Sequence, residues 1–257
     1  MTSLAASLAV IGFFALPAVL AQPPYVRDAR ALPDGAPAVE RTRRVAAFES
    51  APQTPDSFEE HSAESAVLID LEHDAPLYER NAGARRAAAS LTKLVTMYVI
   101  LDELERGRIS LDDRVVVDPR ADWRQMPPGS SLMFVRKGQA VTWHNLLFGL
   151  SIASGNDAAH AVAYELSGSI EAFADRMNEV VAEIGIGNLH FTEPSGVVPD
   201  NEIGAGAFAE FLRHYVERFP EAIAEYHGRT SVSFAEEEGK FRNRNRLVSE
   251  YAGADGL

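Results

Sequence analysis

The sequence of 257 residues contains no cysteine. Disulfide frameworks, cysteine-zinc sites and thiol nucleophiles are therefore excluded, and covalent catalysis would have to use Ser, Thr, Lys or a carboxylate. Positive charge is also scarce, because 24 Lys and Arg stand against 37 Asp and Glu, which gives a net charge of −13. This balance argues against a protein that coats nucleic acid or anionic lipid, and it favours a neutral or cationic partner.

Common metal and cofactor motifs are absent as well. The seven histidines include no H-E-x-x-H pattern, and no Gly-x-Gly-x-x-Gly follows a strand. We therefore predict neither a metal ion nor a cofactor. The basic residues that alternate with polar ones from Lys240 to Arg246 predict a solvated or substrate-facing strand rather than a nucleic-acid surface.

The N-terminal part of the chain predicts export. Residues 1–21 carry no charged side chain and end in small residues, which is typical of a signal peptide, with an uncleaved anchor or a buried helix as the alternative. Residues 22–62 hold six of the fourteen prolines and no apolar period, which predicts a linker. The folded domain is then expected over residues 63–257. Export without cysteine indicates the periplasm or cell envelope of a bacterium.

The first folded segments predict a β-hairpin followed by a helix. Ala66–Asp70 and Leu77–Tyr78 read as two strands around a polar turn. From Leu91 onward apolar residues recur at helical spacing, which predicts a helix with one buried stripe. Ser90 would open this helix, and Lys93 would lie one turn along the same face.

Ser90 and Lys93 form a candidate nucleophile and base. A lysine can take the proton of a serine only if desolvation or a neighbouring cation lowers its pKa toward neutrality. N–H groups at the helix start would favour the negative charge that develops on the substrate. The alternative is a helix-capping Ser followed by a solvated Lys, since S-x-x-K occurs by chance about once in a chain of this length.

Apolar residues at helical spacing predict a helix from Val141 to Ala153, and a second motif, Ser154-Gly155-Asn156, interrupts this pattern 64 positions after Ser90. It places a hydroxyl and a carboxamide at a junction between two predicted helices, although by itself it also fits an ordinary capping turn. The two motifs together match the first two of three motifs of the penicillin-recognising serine acyl-transferases.

Further stretches extend this match over most of the chain, from about Phe58 to Leu257. With these stretches in their order along the chain, the sequence resembles the serine-type D-alanyl-D-alanine carboxypeptidases, the low-molecular-mass penicillin-binding proteins. The stretches are Ala66-Val67-Leu68-Ile69-Asp70, Ala89-Ser90-Leu91-Thr92-Lys93-Leu94, Leu111-Asp112-Asp113, Gly129-Ser130-Ser131, Ser154-Gly155-Asn156-Asp157-Ala158-Ala159, Met177-Asn178, His190-Phe191, Ser195-Gly196 and Asn243-Arg244-Asn245.

The resemblance implies an acyl-enzyme mechanism that needs no cofactor. Ser90 would attack the penultimate D-Ala carbonyl of a peptidoglycan stem peptide, and Lys93 would accept its proton. Ser154 would relay a proton toward the leaving amine. Asn156 would hydrogen-bond the substrate amide and help to position Lys93. Penicillins and other β-lactams would act as inhibitors by acylating Ser90.

The sequence also departs from the family. It contains no Lys-Thr-Gly, the third motif, and its last residues, Gly253–Leu257, resemble those that directly precede that motif. We therefore expect a truncated domain that lacks its C-terminal strands and leaves an unpaired strand edge, and any membrane association would depend on a missing C-terminal region. Ala88 stands where the family usually has Pro, Glu193 where it favours Asn, and Ile203–Ala207 where it has a Ser-Thr-Ala run.

These observations predict an α+β fold of the β-lactamase/transpeptidase type, with an antiparallel sheet flanked by helices between Ser90 and Phe219. Strands are also predicted at Thr230–Phe234 and Lys240–Leu247. The predicted function is a serine-type D-alanyl-D-alanine carboxypeptidase. The alternatives are a non-catalytic penicillin-binding remnant and a serine β-lactamase-like protein, although the Glu-x-x-Asn tetrad that is usual in β-lactamases does not follow the second motif.

Overall fold

The computed structural model describes residues 63–71, 73, 75–234, 240–250 and 254–256. The predicted signal peptide and linker lie outside the described residues. Among the helices within the described ranges, none combines the length and the apolar character that a bilayer crossing requires.

The chain enters the fold through a β-hairpin, as predicted. Strand β1 (Ala66–Asp70) pairs antiparallel with β2 (Ala75–Arg80), and the register shifts at a bulge between Leu68 and Ile69. The second strand, β2, is longer than the predicted strand, which covered only Leu77 and Tyr78. Side chains of β1 alternate between two faces, and one face packs on a helix that comes much later in the chain.

The remaining strands are two or three residues long, and the α-helices range from three to fourteen residues. They are β3 (Arg85–Ala87), α1 (Thr92–Glu105), β4 (Arg114–Val116), β5 (Ala140–Thr142), α2 (Trp143–Ser151), α3 (Asn156–Ser167), α4 (Ile170–Glu183), β6 (Leu189–His190), β7 (Glu202–Gly204), α5 (Ala205–Arg218), α6 (Pro220–Ala222), β8 (Ser231–Val232), β9 (Phe241–Arg242) and α7 (Leu247–Glu250).

A three-stranded sheet holds the start of α1 in place. Strand β7 lies between β3 and β6, and both pairings are antiparallel. Because β3 runs almost directly into α1 and β7 runs directly into α5, this sheet fixes where both helices begin. The backbone N–H of Ala88 extends the pairing by donating to the Asn201 carbonyl at 2.8 Å.

Helix α1 is the centre of the main core. The sequence predicted one buried stripe, and this detail is wrong, since every residue from Val95 to Glu103 is buried. Helices α2, α3 and α4 contact α1, while Tyr98 packs its ring 5.6 Å from Phe211 and 5.2 Å from Phe219. Because α1 is surrounded by other elements, residues outside its apolar stripe are buried too, including the polar Thr96 and Asp102.

The α+β class is confirmed, and two element boundaries are corrected. Thr142 caps α2 by accepting the N–H of Asn145 at 3.2 Å, so the predicted helix from Val141 begins two residues later. The predicted strand from Lys240 to Leu247 extends only over β9. Its end turns into α7 because the Asn245 side chain accepts the N–H of Leu247 at 3.1 Å.

Candidate active site

Ser90 and Lys93 lie side by side at the start of α1. Ser90 sits in a 3₁₀ turn, Ala89–Leu91, and is exposed, whereas Lys93 in the first turn of the α-helix is only 3% exposed. Lys93 Nζ donates to Ser90 Oγ at 3.1 Å. Since no side chain caps α1, the alternative of a capping Ser followed by a solvated Lys is wrong. The arrangement is an accessible hydroxyl above a buried amine.

Burial changes the proton affinity of Lys93. Desolvation is the largest influence and lowers the pKa of its amine from 10.5 to about 7, with Arg244 lowering it further and Glu193 and Asp157 raising it. The same amine donates to the Ser195 carbonyl at 2.6 Å. At neutral pH a large fraction of such an amine is unprotonated and can accept a proton from Ser90.

The backbone beside Ser90 adopts an unusual conformation. Ala89 has a φ of +46°, in the left-handed region that residues with a side chain seldom occupy. Its carbonyl oxygen lies against Gly196, whose φ is +76°, and an added methyl group at Gly196 would overlap that oxygen. Position 196 therefore requires glycine on both conformational and steric grounds.

Hydrogen bonds attach the segment from Phe191 to Val197 to the side of α1 that carries Lys93. Thr96 Oγ1 donates to the Pro194 carbonyl at 2.7 Å. Asn201, which is fully buried, donates to Thr92 Oγ1 at 3.0 Å and to the Glu193 carbonyl at 2.9 Å. These contacts hold the Ser195 carbonyl against the Lys93 amine.

The second motif forms the junction between α2 and α3. Ser154 has a φ of +54°, and Gly155, not Ser154, is the residue that precedes α3. No side chain caps that helix, so the alternative of an ordinary capping turn is wrong here too. Asn156 is 5% exposed, and its N–H donates to the Ser131 carbonyl at 2.8 Å.

Asp157 connects this junction to the rest of the site. Its fully buried carboxylate accepts the N–H groups of Met133 at 2.8 Å and Val135 at 3.0 Å. Its charge also acts on the Lys93 amine. The helices that carry Lys93 and Asn156, α1 and α3, also contact each other, so the two motifs lie in one region of the molecule.

The basic stretch reaches the same region through Arg244. All four of its cationic residues are exposed, and Arg244 Nη1 donates to Ser131 Oγ at 2.6 Å. Ser131 in turn accepts the backbone N–H of Asn156. The contact places Arg244 beside the second motif, and a substrate-facing role for the basic stretch stays a prediction. Over the described residues, His, Asp and Glu side chains do not gather in a group of three that could hold a metal ion.

Sequence reasoning missed several residues that shape the site. It quoted Ser195 and Asp157 within family stretches but gave them no role, and it noted Glu193 only as a departure from the family. Asn201 gave no local signal, because its function depends on partners that are distant in sequence. Positive backbone angles at Ala89 and Ser154 also carry no sequence signal, since neither residue is a glycine.

A family model described as D-alanyl-D-alanine carboxypeptidase, Peptidase_S11, matches residues 49–257. The chain belongs to this family. Among its relatives, the D-alanyl-D-alanine carboxypeptidase DacF of Bacillus subtilis is 34% identical over 200 residues, which cover 77% of this chain and 50% of DacF. The DacA protein of Haemophilus influenzae is 33% identical over 198 residues, or 76% of this chain and 49% of DacA. The chain thus spans about half the length of these relatives.

Solved structures of D-alanyl-D-alanine carboxypeptidases and penicillin-binding proteins share the fold. The carboxypeptidase DacD of Francisella tularensis superposes with a TM-score of 0.70 at 27% identity, covering 81% of this chain and 62% of DacD. Penicillin-binding protein 5 of Haemophilus influenzae also gives 0.70, at 32% identity, covering 77% of this chain and 56% of that protein. The predicted transpeptidase-like fold is confirmed.

Proposed function

We propose that the protein is a serine-type D-alanyl-D-alanine carboxypeptidase that removes the terminal D-Ala from peptidoglycan stem peptides. One observation carries this proposal: the exposed Ser90 hydroxyl lies 3.1 Å from a buried lysine amine whose pKa is about 7. The distance permits direct proton transfer, and the pKa suits a general base at neutral pH. The membership of the carboxypeptidase family supports the choice of substrate.

In the proposed acylation step, Ser90 Oγ bonds to the carbonyl carbon of the penultimate D-Ala while its proton passes to Lys93. The C–N bond to the terminal D-Ala then breaks, and the leaving amine takes a proton that Ser154 relays. Asn156 hydrogen-bonds the substrate amide and helps to position Lys93. The position of Ser154 and Asn156 at the α2–α3 junction, beside Asp157, supports these roles.

In the proposed deacylation step, a water molecule attacks the Ser90 ester, gives a proton back to Ser90 through Lys93, and releases the shortened peptide. β-Lactams imitate acyl-D-Ala-D-Ala, so they are proposed to acylate the same oxygen and to remain attached. The names of the structural relatives as penicillin-binding proteins support this expectation. We propose that the protein acts outside the cytoplasm, in the periplasm or cell envelope, where peptidoglycan is exposed.

Covalent labelling tests the nucleophile directly. We expect a fluorescent penicillin to label the wild-type protein, and Ser90→Ala to abolish the label because no oxygen remains to be acylated. Ser130→Ala is the matched control: it removes a hydroxyl from a residue that the proposal does not use, and we expect labelling to persist. Intact mass spectrometry should show one penicilloyl adduct on the wild type.

Product analysis then separates turnover from binding. Incubation with an acyl-D-Ala-D-Ala peptide should release free D-Ala from the wild type and none from Ser90→Ala. Labelling without D-Ala release would favour the non-catalytic penicillin-binding remnant. Fast hydrolysis of the penicillin itself, with no lasting adduct, would favour a β-lactamase-like protein.

A further inference from the structure

Glu193 is a buried carboxylate in the segment that contacts Lys93. It is 6% exposed. Its two oxygens accept the backbone N–H groups of Ser195 at 2.8 Å, of Gly196 and of Val197 at 3.2 Å, and they also accept the Ser195 hydroxyl. Carboxylates hydrogen-bonded to several backbone N–H groups are strongly anchored.

These hydrogen bonds lead directly to the reacting groups. The Ser195 residue that donates to Glu193 presents its carbonyl oxygen to Lys93 Nζ at 2.6 Å. The Gly196 residue that donates to Glu193 packs against the Ala89 carbonyl, immediately before Ser90. The carboxylate therefore holds the turn that contacts the amine on one side and the nucleophile's backbone on the other.

The charge of Glu193 also raises the pKa of the Lys93 amine. Burial raises the pKa of its carboxyl, but contacts with His160 and with the donors of Ser195 and Gly196 outweigh burial and lower that pKa below its usual value. The carboxylate is thus ionised at neutral pH. His160 Nε2 lies 3.8 Å from its nearer oxygen and has no hydrogen-bond partner among the described residues.

The other groups that act on the Lys93 amine come from different elements. Arg244 after β9 lowers the pKa of the amine and Asp157 on α3 raises it, and Ser90 and the Ser195 carbonyl contact the amine directly. Of the two carboxylates, only Glu193 binds the turn that carries the Ser195 carbonyl. Asp157 instead binds the loop at Met133 and Val135.

We propose that Glu193 is a positioning residue for Lys93, whose carboxylate holds the turn from residue 193 to 197 against the amine and whose charge stabilises the protonated form of that amine. The proposal rests on the proposed function in one respect, that Lys93 is the base for Ser90. Its consequence is specific: an uncharged side chain at position 193 makes Lys93 lose its proton more readily.

The proton affinity of Lys93 can be measured without any activity, because the chain has only three lysines, Lys93, Lys137 and Lys240. With ¹³C-labelled lysine, the side-chain NMR signals can be followed from pH 5 to 11, and Lys93→Arg assigns the site. We expect the Lys93 midpoint near 7 in the wild type. Glu193→Asn and Glu193→Gln should each lower that midpoint by about one pH unit, as the loss of a nearby opposite charge does.

Two variants control for unspecific effects. Asp200→Asn removes an exposed carboxylate three residues beyond the segment from Phe191 to Val197, and the Lys93 midpoint should stay at its wild-type value. His160→Gln removes the group that faces Glu193 but leaves the carboxylate and its backbone contacts, so the midpoint should be no lower than in the wild type. Glu193→Gln keeps the size of the side chain and one acceptor oxygen, which makes a folded product the expected result.

The pH dependence of penicillin labelling gives a second readout. The labelling rate should rise with pH as Lys93 loses its proton. In Glu193→Asn and Glu193→Gln this rise should occur at a lower pH, displaced by the same amount as the Lys93 midpoint. Glu193→Asp keeps the charge and should keep the rise nearer to that of the wild type. An unchanged Lys93 midpoint in a folded neutral variant would overturn the proposal. If the wild type is not labelled, the proposed function fails, while the NMR titration still decides the role of Glu193.

Discussion

At the residue scale, the site depends on a lysine kept where its charge is unfavourable. Lys93 is 3% exposed, and removing an ammonium group from water without a full set of partners costs several kcal/mol. Its neighbours supply two acceptors, Ser90 Oγ and the Ser195 carbonyl. The same burial that makes the amine a usable base therefore reduces the stability of the folded protein when the amine is protonated.

Replacing Lys93 with Met should reveal this cost as a pH-dependent difference in stability. The amine has a pKa of about 7 in the folded state and about 10.4 in the unfolded state. Between these values the unfolded state binds more protons, so raising the pH stabilises the wild type by about 1.4 kcal/mol per pH unit relative to Lys93→Met. Below pH 7 the free energy of unfolding of Lys93→Met should exceed that of the wild type by the largest amount, and this difference should no longer change with pH.

Urea unfolding of both proteins at several pH values measures this difference. The contributions of all other titrating groups cancel where the substitution leaves them unchanged. A difference in unfolding free energy that stays flat between pH 7 and pH 10 would contradict the assignment of a lowered Lys93 pKa.

Gly196 offers a steric test at the same scale. Gly196→Ala should destabilise the protein by about 2 kcal/mol or more, since alanine disfavours a positive φ and its methyl group would overlap the Ala89 carbonyl. Penicillin labelling should slow as well, because the backbone before Ser90 must shift. Gly187→Ala is the control, with open space around the added methyl group, and it should change the melting temperature and the labelling rate little.

At the scale of elements, buried polar side chains fix loops on helix ends. The carboxylate of Asp157, in the first turn of α3, accepts N–H groups from Met133, Val135 and Ala158. The loop that includes Ser131 is therefore attached to the helix that carries Asn156. This attachment sets the distance between two parts of the site that come from separate stretches of the chain.

Asp157→Asn tests this attachment. An amide would place an N–H₂ group against backbone N–H donors, so we expect a loss of about 2 kcal/mol in unfolding free energy and slower penicillin labelling. Asp175→Asn changes an exposed carboxylate on α4 and should leave both measurements at their wild-type values. Equal melting temperatures for Asp157→Asn and the wild type would show that the attachment contributes nothing to stability.

Local patterns explain which elements could be predicted from the sequence. The hairpin and α1 could be predicted because a short apolar run beside a polar turn indicates the strands, and helical spacing of apolar residues indicates the helix. Strands β3, β6 and β7 are only two or three residues long and were missed, since pairing with distant residues creates them. Ser90 and Lys93 were found as a spaced pair, whereas the Glu193 contacts depend on the folding of a segment about a hundred residues away.

At the scale of the whole molecule, the described residues contain two unequal hydrophobic clusters. The large one surrounds α1, and the small one joins the hairpin to α5 through four buried residues: Val67, Ile69, Ala205 and Ala209. A cluster with so little buried apolar surface contributes less to cooperativity than the main core does.

We therefore expect the hairpin to open before the helical core does. In hydrogen–deuterium exchange, the amides of β1 and β2 should exchange faster than those of α1 between Val95 and Glu103. Val67→Ala should accelerate exchange in the hairpin and leave α1 protected. Equal protection of the hairpin and α1 would mean that the two clusters unfold as one unit.

The central position of α1 has a consequence for how such a protein can change over time. The helix that fills the interior also carries the Lys93 amine, because Lys93 lies only two residues before the start of its continuous buried run. A substitution that repacks the interior also displaces the amine relative to Ser90. Substitutions in the core around α1 are therefore limited by the need to keep the Lys93 amine beside Ser90. Substitutions far from this helix should be tolerated most easily.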